Sequence, residues 1–366
     1  MRLTNYWWLL IWLVAVGGFL AVVVPKRPVK VLEKIEYRWS WVAVLILICP
    51  YIIWAGTRSH FGDTESYRNW FLSVSSIGEE IGFAFSGNAK DPGFSILLAF
   101  IKCVIGNNDV LFFLMIAAFQ MLCIAYFFRK YSDGFLLCMF MFVLSTDYLS
   151  WMFNGMRQFI AVCIVLLTFG SIVRKKYLSA IIVILLASTI HASALIMLPI
   201  IFIIQGQAWN RKTILMLIGT GIAIFFVDSF TSILDTVLAD TQYNDIITND
   251  IWKNDDGTNI MRALFYSIPA ILSLFGKKTV ERENSEIVNV CVNCSICTMT
   301  IYFFSVFSSG IYIGRLPIFT TLQGYAVVPW LINHMFAKTS AKIVTWCLIG
   351  GFLAFFYAQM HAWGIF

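Results

Sequence analysis

Three arginines stand where apolar sequence gives way to polar sequence: Arg58 in TRSHFGDTESYRNWF (57–71), Arg157 in FNGMRQFIA (153–161) and Arg315 in GIYIGRLPIF (310–319). A guanidinium presents a planar fork of donors that matches phosphate bidentately, and it stays charged at any working pH. Three such groups at one boundary of an apolar bundle could hold a pyrophosphate. Taken singly, each could also be an interfacial arginine that snorkels to headgroups.

Two further residues could move a proton. Asp63 follows Gly62, which permits a tight turn, and precedes Thr64 in a stretch that continues through Tyr67 and Phe71 as a short helix. It reads either as an outward carboxylate that takes a proton or as the cap of that helix, and Glu65 is its nearest rival. His191 lies deep in an apolar run, in ASTIHASAL. Ionisable groups at membrane depth are rare and tend to be functional, so the imidazole could act as a general base or bind phosphate. It could also donate a hydrogen bond between helices. Asp91 precedes Pro92 and reads as the cap of a short helix, and Gln158 stands next to Arg157. Glu79 and Glu80 read as a solvated loop face.

The elements that must position these residues follow from composition. The 366 residues are 60% hydrophobic and only 13% charged, with a mean hydropathy of +0.80. A soluble domain carries about 25% charge. Lipid can solvate such a chain, and many stretches approach the about 20 apolar residues of a spanning helix. A β-barrel would alternate apolar and polar positions, and these runs are continuously apolar. The expectation is one all-α, polytopic membrane domain over 1–366, with about 10–12 membrane segments. These are 6–24, 40–56, 93–106, 109–128, 135–150, 158–173, 178–205, 213–231, 261–275, 287–309, 316–335 and 343–360. The first run ends in a basic loop and not in a small-residue cleavage site, so it reads as a membrane helix.

The net charge of +6 sits in short turns between apolar runs, which is the positive-inside pattern and not a nucleic-acid signal. Turns 25–34, 129–130, 174–176, 210–212, 276–283 and 337–342 should then face the cytoplasm, with loops 57–92 and 232–260 outward. If every segment spanned once, turns 129–130 and 174–176 would land outside. Segment 93–106 is short enough to be re-entrant, and segment 178–205 is long enough to be two helices broken near His191. With both re-entrant or broken, all six basic turns face inward and Arg58, Asp63, Arg157, His191 and Arg315 face outward. The rival topology keeps both as simple spans and puts Arg157 inside. Most of the nine cysteines lie inside apolar runs; Cys291, Cys294 and Cys297 have metal-like spacing but sit in a membrane helix with no fourth ligand in view.

Together these stretches resemble the EpsG family, the Wzy-like oligosaccharide repeat-unit polymerases of bacterial exopolysaccharide and capsule pathways. The matching residues are Arg58, Gly62, Asp63, Thr64 and Tyr67; then Asp91, Gly93 and Phe94; then Asn154, Gly155, Arg157, Gln158 and Ala161; then His191, Ser193, Ala194 and Leu195; and last Arg315. Thr64 departs from the pattern, since many members have Tyr after the Gly-Asp pair. The resemblance implies a GT-C-like membrane fold in the bacterial plasma membrane. It implies glycosyl transfer on the outer face, from a glycan on undecaprenyl pyrophosphate to the next lipid-linked repeat unit. Arg58, Arg157 and Arg315 would meet the pyrophosphate, Asp63 or His191 would take the proton, and Gly62, Tyr67, Asp91 and Gln158 would support them. Membrane lipids, and a flippase and chain-length regulator of the same pathway, are the implied partners. No metal or cofactor is called for, and no Asp-x-Asp motif is present to hold an ion. The alternatives are a flippase for lipid-linked glycans, which should show pseudo-symmetric halves, and a transferase like the O-antigen ligases.

Overall fold

Inside lipid a backbone must satisfy its own hydrogen bonds, in a helix or a closed barrel, and the apolar runs of this chain are helical. The computed structural model describes residues 6–86, 91–226, 257–310 and 312–363. By its internal contacts the chain divides into two units, Met1–Leu195 with Ile332–Phe366, and Ile196–Leu331.

The first unit begins with α1 (Tyr6–Val23), a two-stranded antiparallel hairpin of β1 (Arg27–Val31) and β2 (Lys34–Arg38), and α2 (Trp41–Gly56). The basic turn expected at 25–34 is thus a β-hairpin. Its two-residue connection holds Leu32 in the left-handed region, at φ 52°. Two short helices fill the loop expected at 57–92: α3 (Thr64–Ser73) and α4 (Ile77–Phe85). There follow α5 (Pro92–Ile105), α6 (Asp109–Tyr131), α7 (Phe135–Leu144), α8 (Asp147–Asn154), α9 (Met156–Leu167), α10 (Phe169–Val173) and α11 (Tyr177–Ile190). Segment 135–150, expected as one span, is broken. Thr146 takes a left-handed φ of 68°, and α7 and α8 meet at 71°.

The second unit holds α12 (Met197–Ile203), α13 (Arg211–Phe225), α14 (Ile260–Tyr266), α15 (Ile268–Phe275), α16 (Lys277–Glu283), α17 (Glu286–Val306) and most of α18 (Ile318–Met335). The final helix, α19 (Lys338–Ala362), returns to the first unit and stacks Phe356 on Tyr6 with ring centroids 5.2 Å apart. Within the second unit Asn289 and Asn293, one turn apart on α17, accept the backbone N–H groups of Ala208 and Trp209, each at 3.0 Å. Cys291, Cys294 and Cys297 are buried on the same helix. No group of three or more His, Cys, Asp or Glu that could hold a metal forms among the described residues. The loop expected at 232–260 falls largely outside those residues.

Among the described residues α1, α6, α17 and α19 are each long and apolar enough to cross a membrane, and the bent pair α7–α8 makes a fifth candidate span. Shorter apolar helices, α2, α5, α9, α11 and Ala192–Ile203, accompany them. The protein is an all-α multi-pass membrane protein.

Side-chain pairs fix which turns of the first unit share an end. Arg38 pairs with Asp133 at 2.9 Å, Arg129 Nε donates to the Trp39 carbonyl at 2.6 Å, and Arg174 pairs with Glu33 at 3.3 Å. Turns 25–34, 129–130 and 174–176 therefore gather at one end. At the other end Arg157 at the head of α9 pairs with Asp91, and Arg68 of α3 pairs with Asp109 at 2.6 Å. Asp91 precedes α5 and Asp109 follows it by a few residues, while Lys102 in its last turn donates to the carbonyls of Leu72 and Val74. Both ends of α5 are tied to α3 and its neighbours, so α5 returns the chain to the end it left instead of crossing. That is the re-entrant arrangement expected for 93–106. The break expected in 178–205 falls at His191, whose extended backbone (φ −156°, ψ 117°) ends α11 before a 3-10 turn at Ala192–Ile196.

Candidate functional site

The motif residues of the first unit meet where α3, α5, α8, α9 and α11 end or begin. One apolar cluster holds these ends together. It includes Tyr67 and Phe71 of α3, Phe94 of α5, Phe112 and Phe113 of α6, Met156 and Ile160 of α9, and Ile190 of α11.

The turn before α3 is built on a close approach. Gly62 has φ +51°, and a Cβ there would lie 1.3 Å from Asn154 Oδ1. That amide oxygen accepts the backbone N–H of Asp63 at 3.2 Å. Tyr67 on α3 then donates its hydroxyl to the Asn154 carbonyl at 3.3 Å, and the Tyr67 hydroxyl oxygen in turn faces the backbone N–H of Arg157 at 3.5 Å. The Gly-Asp turn and the Asn-Gly-x-Arg-Gln turn are thus laced into one structure.

Arg157 opens α9. Its guanidinium carbon lies 4.9 Å from the ring centre of Trp70, 5.9 Å from Phe94 and 6.0 Å from Tyr67, an aromatic cup favourable to a cation. Nη1 donates to the carboxylate of Asp91, and the buried Nε has no hydrogen-bond partner among the described residues. Asp91 occupies the capping position of α5, but its side chain makes no cap bond. It takes a left-handed φ of 55°, a conformation Asp tolerates better than most residues, and is only 6% exposed. The cap expected of its carboxylate is replaced by an ion pair with Arg157. Gln158 is buried one position further along α9.

Arg58 is also only 6% exposed. Nη1 donates to the Met152 carbonyl at 2.6 Å, and the guanidinium lies 4.3 Å from the Phe113 ring centre and 4.9 Å from Phe153. Burial pulls it down to about 10, which leaves it a cation at neutral pH. Met152 belongs to the π-helical turn Ser150–Asn154, so Arg58 braces the segment that leads into Arg157. Glu65 pairs with Arg68 at 2.5 Å, and the hydrogen bond that Arg68 Nε donates to Asp109 holds the Arg68 guanidinium above its ordinary value.

Asp63 stands at the capping position of α3 without a side-chain cap bond, and it is exposed. His191 is half-buried, and its Nδ1 lies 2.7 Å from Ser193 Oγ and accepts the Ser193 backbone N–H at 3.3 Å. A backbone N–H can only donate, so Nδ1 carries a lone pair and the neutral ring keeps its hydrogen on Nε2. Gly93 fixes the approach of α5 to α11, since a Cβ there would meet Thr189 Oγ1 at 2.1 Å. Asp91 is thereby brought to the end of α11 at which His191 stands. Arg315 belongs to the second unit, exposed on the 3-10 turn Ile313–Arg315.

Sequence reasoning gave no site role to Asn154 or Trp70. Asn154 stood inside a quoted motif, and an amide just before Gly155 at a helix entrance was a usable signal. Trp70 carried no signal, because the Arg157 it covers is 87 residues away. No curated protein and no solved structure matches the chain. The family model that does match spans residues 41–364, which takes in every motif of this site, and the chain belongs to the EpsG family.

Proposed function

We propose that the chain is a Wzy-like polymerase that joins lipid-linked oligosaccharide repeat units by glycosyl transfer on the outer face of the bacterial plasma membrane. The observation that carries this reading is Arg157: a cation seated in an aromatic cup, steered by Asp91, at the end of the first unit opposite the basic turns. Positive-inside logic puts those turns in the cytoplasm and Arg157 outside.

In this reading the acceptor hydroxyl oxygen bonds to the anomeric carbon of the donor glycan. The bond from that carbon to the undecaprenyl pyrophosphate oxygen breaks, and its electron pair leaves on the pyrophosphate. Arg157 lies where that charge develops, which is where a preorganised donor accelerates most. Asp63, exposed and free of a capping bond, takes the hydroxyl proton. His191, with its hydrogen on Nε2, serves as a donor to a phosphate oxygen and not as the base. Arg58 braces the turn before Arg157 and does not touch substrate. Gly62 and Tyr67 hold the lacing with Asn154, and Gln158 is kept as a support. Arg315 enters this reading from the sequence alone.

The test is Arg157→Ala in cells, with polymer yield and chain length measured at normal protein levels. Loss of polymer is expected. Unchanged yield and length would remove Arg157 from the chemistry.

A further inference from the structure

We propose that the cleft between α3, α4 and α5 is a sugar subsite that seats a ring of the glycan beside the pyrophosphate group. The proposal rests on the polymerase reading above for the identity of the glycan.

The cleft measures about 570 Å³, within the 300–1,000 Å³ typical of small-molecule sites. Trp70, Ser75, Glu79, Glu80, Phe83 and Ser95 line it. Trp70 is shared: the same indole that lines the cleft covers the Arg157 guanidinium, so the cleft adjoins the proposed pyrophosphate position. Phe83 is 51% exposed, an aromatic face left open on a helix that buries none of its residues.

The polar groups point to a neutral, hydroxyl-rich ligand. Glu80 accepts the backbone N–H of Ser75 at 3.1 Å, while the Glu79 carboxylate has no partner among the described residues. Ser95 is only 6% exposed, lines the cleft, and its hydroxyl has no partner among the described residues. That hydroxyl is open to water or a ligand in the cleft. Two carboxylates repel an anion, and among the described residues no group of three ligands forms that could hold a metal. A pyranose satisfies all of these groups. Its apolar face stacks on Trp70 or Phe83, and its hydroxyls donate to Glu79 and exchange hydrogen bonds with Ser95.

The test uses the full chain in lipid nanodiscs, free of sugar-headed detergent, with two calorimetric titrants. One is the oligosaccharide freed by partial acid hydrolysis of the polymer that the producing cells export. The other is inorganic pyrophosphate. Glu79→Gln and Phe83→Ala are each expected to weaken oligosaccharide binding by about tenfold, and to leave pyrophosphate binding unchanged. Arg157→Lys is expected to weaken pyrophosphate and spare the oligosaccharide. Both cleft residues are exposed, so the variants should fold, and thermal unfolding checks this. Oligosaccharide binding that neither cleft variant weakens overturns the subsite, as does no binding by the unaltered protein at about 10 mM. Oligosaccharide binding that stays sensitive to Glu79 and Phe83 while pyrophosphate fails to bind supports the subsite and removes the pyrophosphate reading.

Discussion

The two ends of the first unit both use arginine, and each end buries one: Arg129 at the basic end, 7% exposed with its guanidinium carbon 4.9 Å from the Trp41 ring centre, and Arg58 at the motif end, 6% exposed. At the basic end Arg174 meets a Glu33 side chain that is 80% exposed, and Arg38 meets a half-buried Asp133. Water screens the Arg174 pair, and exposed pairs contribute about 0–1 kcal/mol, whereas the Arg38 side chain is only 11% exposed. At the motif end Arg58 lies between two phenylalanine rings, and Arg157 lies over Trp70 with its arm on a buried aspartate. Arg58 is there taken out of water, so a lost partner leaves an uncompensated group, while the Arg157 side chain stays 23% exposed. What sets the motif end apart is the group around one partly exposed guanidinium, Arg157, with three aromatic rings and the Asp91 carboxylate about it.

The largest expected effect falls on Arg157. Arg157→Ala should lower polymerisation by about 10²–10³-fold if it stabilises the leaving pyrophosphate. Arg157→Lys should restore little, because a point charge does not reproduce the fork. Polymer assembly from lipid-linked repeat units in vitro measures both. Recovery of near-normal rates by lysine would make Arg157 an anchor like those of the basic end.

Gly62→Ala comes next. Its Cβ would strike the Asn154 amide and its φ is already positive, so the Asp63 turn must move away from Arg157. A stability loss of about 1–3 kcal/mol and a severe loss of activity are expected. Gly78→Ala is the control, since nothing lies within 4 Å of its added carbon. Equal effects at the two glycines would mean that the lacing with Asn154 does not matter.

Arg58→Met should cost about 1–3 kcal/mol of stability by stranding the Met152 carbonyl, measured as a thermal shift. Its effect on rate should track the loss of fold. A rate loss without a shift in stability would return Arg58 to direct substrate contact.

Much of this was legible in the sequence, and the limit is physical. Continuous apolar runs give helices, because lipid offers the backbone nothing else, and the shortness of 93–106 was enough to expose a segment that does not cross. Arg157 at the head of a helix was equally plain. What stayed hidden was direction. Arg58 and Arg157 look alike beside an apolar run. Phe113, Phe153 and the Met152 carbonyl hold the first inward, while Asp91 and Trp70 steer the second. These partners are distant in the chain, and no local pattern encodes them. Asp91 misled for the same reason: a residue before Pro92 has the form of a cap, while its carboxylate answers to Arg157.

The smallest pair of effects tests the contrast between the ends most directly. Tyr67→Phe removes a hydroxyl whose contacts with Asn154 and Arg157 are long, at 3.3 and 3.5 Å, so about 1 kcal/mol is expected, seen as a several-fold lower rate with little change in melting. Arg174→Ala removes an exposed pair and should change stability by less than about 0.5 kcal/mol and the rate not at all. Its loss should not invert the chain either, because Lys175 and Lys176 keep that turn basic. A rate loss in Arg174→Ala as large as that in Tyr67→Phe, at unchanged orientation, would mean that the basic end reaches the site through α9–α11. The distinction between the two ends would then fail.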